Sequence, residues 1–208
     1  MYIPRLFNNE NEEEIKQFLQ KNSFGILVSS VKDEILATHI PLELEKNKNQ
    51  EWVLQGHVAR GNPQWKHFIE NEKVLAIFNG PHTYISSSWY EHVNVPTWNY
   101  IAVHVHGSIK ILEGKELYLH LKRLVEKYEH GSSNPVSLDT MPEEFVQKEI
   151  QGIVGFEIKI ESIDAKKKMS QNRNEKDYNN IVTNLEKRSD PQSKAVSLEM
   201  KKIKQEKK

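Results

Sequence analysis

The chain has 208 residues, 37% of them hydrophobic and 28% charged, with 29 Lys and Arg against 29 Asp and Glu. That is enough apolar material for one generous domain, or a domain with an appendage. The absence of cysteine excludes disulfides, thiolate metal sites and cysteine nucleophiles. No long apolar run is available to cross a membrane, and the acidic stretch from Asn8 to Glu14 is unlike a secretion signal, so a cytoplasmic protein is the expectation. The charge balance hides an asymmetry. From Ala165 onward there are 13 basic residues against 6 acidic ones, leaving a body that is net acidic. A basic segment of this kind suits nucleic acid, a protein partner or the chain's own acidic body.

In chain order, Asn8 to Gln20 spaces Ile15, Phe18 and Leu19 on one helical face, and Asn11 with Glu14 has the spacing of a capping box. Phe24 to Val31 reads as a buried strand, Ile35 to Leu44 as a second and Trp52 to Val58 as a third. Asn62-Pro63 opens a short helix with proline at its first position. Val74 to Phe78 is a fourth strand that Gly80-Pro81 is expected to break, with Thr83 to Ile85 as a separate short fifth. Asn99 to Leu112 alternates as a long strand. Lys115 to Tyr128 and Pro142 to Ile150 read as helices, and Ile153 to Ile163 as the last strand. Ile181, Val182 and Leu185 support a further helix, and fraying is expected from Pro191 onward. Six or so strands without a βαβ rhythm predict an α+β, mainly β class, an antiparallel barrel with peripheral helices. The expected division is a barrel domain over 1–164 and a basic, partly helical extension over 165–208.

The stretch from Gly56 to Gly107 carries the chemistry. It holds three of the four Trp and six of the nine His. His57 to Pro63 ends a strand, turns at Gly61 and starts a helix, so Arg60 and free N–H groups are expected to converge as a phosphate site. Tyr84 to Tyr90 and Thr97 to Tyr100 offer flat rings beside hydroxyl and amide groups, which suits a planar ligand. His104 and His106 share a strand face, but no third ligand completes a metal set, so no metal is assigned. Lys166, Lys167 and Lys168, with Arg173 and Lys176, suit contacts to DNA phosphates, although a solvated basic helix start is the simpler reading. No catalytic dyad, Walker loop or G-x-G-x-x-G is present, and no helix-turn-helix pattern is visible.

Several motifs together resemble the PaiB family of FMN-binding negative transcriptional regulators. They are Met1 to Pro4 with Phe7, Thr38 to Leu42, Gly56 to Arg60 with Asn62 to Trp65, Phe78 with Gly80 to His82, Tyr84 to Ser86 before Ser88 to Tyr90, Val95 to Tyr100, and Ser170 to Asn172. The resemblance implies an FMN-binding split barrel, similar to pyridoxamine-phosphate oxidases and flavin reductases, assembled as a homodimer with flavin at the interface. It implies Thr38, Arg60 and Lys66 for the phosphate, and His39, Tyr84, Ser86, Trp89, Trp98 and Asn99 around the flavin ring. It also implies repression of degradative-enzyme synthesis and sporulation, through DNA or a regulatory partner. The alternatives are an FMN-dependent oxidoreductase and a haem-binding or haem-degrading relative.

Overall fold

The structure, a computed structural model, describes residues 1–206; Lys207 and Lys208 lie outside the described residues. Seven strands form one sheet in the order β2-β1-β5-β6-β7-β4-β3. They are β1 (Phe24–Val31), β2 (Glu34–Pro41), β3 (Glu43–Lys46), β4 (Trp52–Ala59), β5 (Lys73–Ile85), β6 (Thr97–Leu112) and β7 (Ile153–Lys168). Six helices accompany them: α1 (Glu12–Lys21), α2 (Gln64–Glu70), α3 (Gly114–Glu129), α4 (Glu143–Gln151), α5 (Glu175–Lys187) and α6 (Pro191–Glu206). The ladders of β1 with β2 and β5, and of β4 with β3 and β7, are antiparallel.

The chain groups into two compact units. One comprises Met1–Phe18, Asn79–His104 and the chain from Asp164 onward; the other comprises Leu19–Phe78 and Val105–Ile163. In the second unit Leu27, Leu42, Leu54, Phe78, Phe156 and Ile158 are fully enclosed and form its core. A side chain at Gly56 of β4 would meet the Pro41 carbonyl oxygen of β2 at 3.0 Å and Phe156 Cζ at 2.8 Å. β4 and β2 stand far apart in the sheet order, so the sheet curls back on itself there without a ladder joining them. This is the antiparallel split barrel expected from the sequence.

Gly107 has a comparable role on β6. A methyl group there would sit 2.2 Å from the Lys159 carbonyl oxygen and 2.7 Å from Ile158 Cγ2 of β7. Backbone cannot yield as a flexible side chain can, so Gly107→Ala is expected to destabilise the fold by about 1–3 kcal/mol through overpacking. Urea unfolding of the purified variant checks this, and an unchanged midpoint would refute the close approach.

Several sequence expectations need correction. Gly80-Pro81 does not break β5. The ladder with β1 ends at Ile77, so a proline at 81 removes no bond from that ladder. The expected second strand is two elements, parted at Leu42, whose N–H turns to the Ser23 carbonyl at 2.8 Å. β7 does not stop at Ile163 but runs on through the lysines to Lys168. Ala165, Lys167 and Met169 are buried in alternation, and the Lys167 ammonium is paired with Glu14 and Glu199. A buried lysine neutralised on both sides therefore takes an inward position that the sequence suggests should be apolar. The basic run is thus strand, not a helix start.

The segment from Pro191 does not fray within the described residues. It forms α6, whose Val196, Met200 and Ile203 pack with Tyr178, Ile181 and Leu185 of α5 and with Ile85 and Met169. At the other end, Asn11 caps α1, its Oδ1 accepting from the N–H groups of Glu13 and Glu14 at 3.1 Å each. The reciprocal half of the capping box is absent, because Glu14 turns to Asn9 and Lys167 instead.

Candidate functional site

The candidate residues fall into two sets, one in each unit. In the unit spanning Leu19–Phe78 and Val105–Ile163, Thr38 is held between neighbours. Its hydroxyl donates to Gln64 Oε1 and accepts from Asn62 Nδ2 at 2.9 Å. Gln64 is completely buried and donates through Nε2 to the Leu27 and Leu36 carbonyls and to Ser29 Oγ, at 3.0–3.2 Å. The effect is to brace α2 against β1 and β2, with Thr38 as one strut. Sequence reasoning missed Gln64, because a glutamine after Asn-Pro has no type-specific signature.

Arg60 stands at the exposed end of β4. Its Nε donates to the Gln151 carbonyl at 2.7 Å and its Nη2 to the Ile153 carbonyl at 2.9 Å. Those acceptors are neutral, so among the described residues the guanidinium is fixed in place with its charge uncompensated and three of its five N–H donors uncommitted. Three of the helix-start N–H groups expected to be free beside it are already taken. The Asn62 N–H donates to Ala59, the Gln64 N–H to Asn62 Oδ1 and the Lys66 N–H to Pro63. With α2 only seven residues long, the fixed cation rather than a helix dipole supplies the attraction for an anion.

Lys66 is exposed on α2 and lines an open cleft of about 680 Å³ with Lys32, Glu34, His67 and Glu70. The buried His67 ring is held at both nitrogens, Nδ1 by Ser29 Oγ and Nε2 by Glu34 Oε2, each at 3.2 Å. His39 is exposed, with its ring 6.4 Å from that of Phe24. Being next to Thr38 on a strand, it points to the opposite face.

In the other unit, Tyr84 and Trp98 are the notable pair. They are 40% and 52% exposed, with centroids 6.1 Å apart and edge-to-face. His82 lies 6.4 Å from Trp98. Large rings left in water in this way form a ready stacking surface for a flat ligand. Ser86 caps the short turn Ser87–Trp89, and its hydroxyl pairs with that of Ser88 at 2.8 Å. Trp89 packs on the unit's core, with the Arg188 guanidinium 4.7 Å above its ring. Arg188 also donates to the Tyr84 carbonyl at 3.1 Å, which holds that strand end. Asn99 is fully enclosed, accepting from Ser170 Oγ at 3.0 Å. Among the described residues no group of three or more metal-ligating side chains occurs, and no helix is long and apolar enough to cross a membrane.

Residues 1–162 match the family described as "Putative FMN-binding domain". The chain belongs to this FMN-binding family. Within it, the chain is 48% identical over 197 residues to the "Protease synthase and sporulation protein PAI 2" of Bacillus subtilis, covering 95% of each chain. It is 28% identical over 227 residues to an uncharacterized protein of Emericella nidulans, covering 89% of this chain and 90% of that one. Among solved structures it is similar to an FAD and heme binding protein from Mycobacterium smegmatis, with a TM-score of 0.58, 11% identity, and 77% of this chain and 73% of that one covered. A flavocytochrome from Azotobacter vinelandii gives a TM-score of 0.56 at 15% identity, covering 86% of this chain and 78% of that one. At such identities these two show a shared fold and no more.

FMN is the cofactor of the FMN-binding family, and each unit taken by itself carries a feature suited to one part of it. The anchored, uncompensated guanidinium of Arg60 suits a phosphate. The exposed Tyr84 and Trp98 rings suit an isoalloxazine.

Proposed function

We propose that this protein binds FMN and acts as a negative regulator of degradative-enzyme synthesis and sporulation. The observation that carries the regulatory reading is the 48% identity, over 95% of both chains, to a protein named for protease synthesis and sporulation. In this reading Arg60 and Lys66 take the flavin phosphate, with Thr38 bracing the element that carries Lys66. Tyr84 and Trp98 receive the ring, His39 approaches it, and Ser86, Trp89 and Asn99 shape the surrounding loops. When bound, FMN supplies redox chemistry that no side chain of this protein offers. The working form is a cytoplasmic homodimer acting on DNA or on a regulatory protein.

The regulatory reading is tested in a Bacillus subtilis strain lacking PAI 2. Expression of this protein should restore the strain's normal secreted-protease and sporulation levels, and an unaltered mutant phenotype would overturn the reading. Flavin binding is tested separately, by absorbance and fluorescence titration of the purified protein with FMN. Arg60→Ala should weaken FMN by about 1.5–3 kcal/mol, the usual worth of a charge-assisted hydrogen bond. An unchanged affinity would place the phosphate elsewhere.

A further inference from the structure

The end of β7 and the turn after it carry a cluster that the flavin reading does not use. Lys166, Lys168 and Arg173 each rest on neutral groups. The Lys166 ammonium lies 5.2 Å from the Tyr100 ring centroid and donates to the Tyr2 carbonyl at 3.2 Å. Lys168 donates to Thr97 Oγ1. The Arg173 guanidinium sits 4.6 Å above the Tyr90 ring. Among the described residues none of the three has an ion-pair partner. Asp177, in the first turn of nearby α5, is already occupied by Asn174, the Glu91 N–H and His92.

Two further observations point to something missing from this cluster. Tyr90 is only 8% exposed, yet among the described residues its hydroxyl has no hydrogen-bond partner, and the buried Nε of Arg173 has none either. Buried polar groups are almost always satisfied, so two orphans at one cation–π contact are a marked exception. The turn is also held rigidly in a costly conformation. Ser170 has φ +59, in the left-handed region, and is fastened by its hydroxyl to Asn99 and by its carbonyl to the Arg173 N–H at 3.0 Å. Strain of this kind persists where the surroundings over-determine it, commonly at ligand sites. Burial holds the Lys168 ammonium below its ordinary pKa; Tyr100 acts against this, and the charges of Lys166 and Arg173 add to it.

We propose that Lys168, Arg173, Thr97 and Tyr90, with Lys166 at the edge, form an oxyanion site for a phosphate monoester. Three positive charges match a dianion, and the planar guanidinium and the two hydroxyls supply directed hydrogen bonds to its oxygens. A phosphate monoester has two sources, a free metabolite or the phosphate of FMN itself; the second would move the flavin phosphate from Arg60 to this cluster, and the titration separates the two.

The test is calorimetric titration of the full-length protein with inorganic phosphate at constant ionic strength, with and without saturating FMN. Saturable binding is expected, weakened at least tenfold in Lys168→Gln and in Arg173→Gln. Arg173→Lys, which keeps the charge, should recover part of the loss. Circular dichroism confirms that each variant is folded, and Thr97→Val replaces any that is not, with the same direction of change expected. Phosphate binding that persists under FMN supports a free metabolite as the ligand. Binding abolished by FMN supports the flavin phosphate as the occupant. No saturable binding, or equal binding in the folded variants, overturns the proposal whatever FMN itself does.

Discussion

Phe156→Ala is expected to cost the fold about 3–5 kcal/mol, the usual range for emptying a buried aromatic site. Native domains are stable by only about 5–15 kcal/mol, so this substitution threatens folding as a whole. Three features put Phe156 at the high end. The side chain is fully enclosed, its ring meets that of Phe68 edge-on at 5.3 Å, and it fills the space over Gly56 on the neighbouring strand. Glycine offers no side chain to move into the vacated volume, so relaxation is poor and the cavity stays open. Phe156→Leu should recover most of the loss by keeping volume. Chemical unfolding of the three proteins side by side measures it, and a loss below about 1 kcal/mol for the alanine variant would show that the ring is not central to the core.

Acidification should be the second large effect. His57 Nδ1 and His120 Nε2 lie 3.4 Å apart, with ring centroids at 5.6 Å. Burial pushes His120 down to about 3, with the His57 and Arg123 charges acting in the same direction, and burial also lowers His57. Both imidazoles are therefore neutral in the folded protein at neutral pH. The unfolded chain takes up protons near pH 6.5 while the folded chain does not, so stability is complete above about 6.5 and falls as pH drops below it. The slope approaches about 1.4 kcal/mol per pH unit for His120, or about 2 kcal/mol between pH 7 and pH 5. Glu45, whose carboxyl is raised by burial, acts in the opposite sense near its own titration range. Unfolding measured at pH 7, 6 and 5 should show this decline in the native chain and a shallower one in His120→Gln. Equal slopes in the two proteins would refute the assignment.

The parts of the fold that could be read from the sequence are those where a single physical demand acts. β1 and β4 were clear because a β-branched run between turn residues has few other uses, and β6 because its alternation is long. The readings failed where two demands compete. β7 looked finished at Ile163 because a lysine run signals solvent, yet Lys167 is buried between two carboxylates that lie far away in sequence. α6 looked loose because lysine and glutamate dilute Val196, Met200 and Ile203, although their spacing marks one helical face. In the candidate site, Arg60 was legible from its place between a strand and a turn. That two backbone carbonyls anchor it was not, because Gln151 and Ile153 lie some ninety residues on. The orphaned hydroxyl of Tyr90 leaves no sequence signal at all.

The way the first unit is assembled bears on how the protein is made. Glu14 and Lys167, which pair in the finished fold, are separated by 153 positions, and the bridge between Asn8 and Lys166 spans a similar interval. A ribosome adding about 5–20 residues per second delivers the partner of the opening segment some 8–30 s after that segment has emerged. During that wait α1 lacks the late-made part of its packing surface, although the segment around Gly80 that meets Phe18 is already present. The unit closes only once its late-made strand and helices arrive, so a chain halted early would carry an exposed leading segment, a mark by which quality control distinguishes it from a finished one.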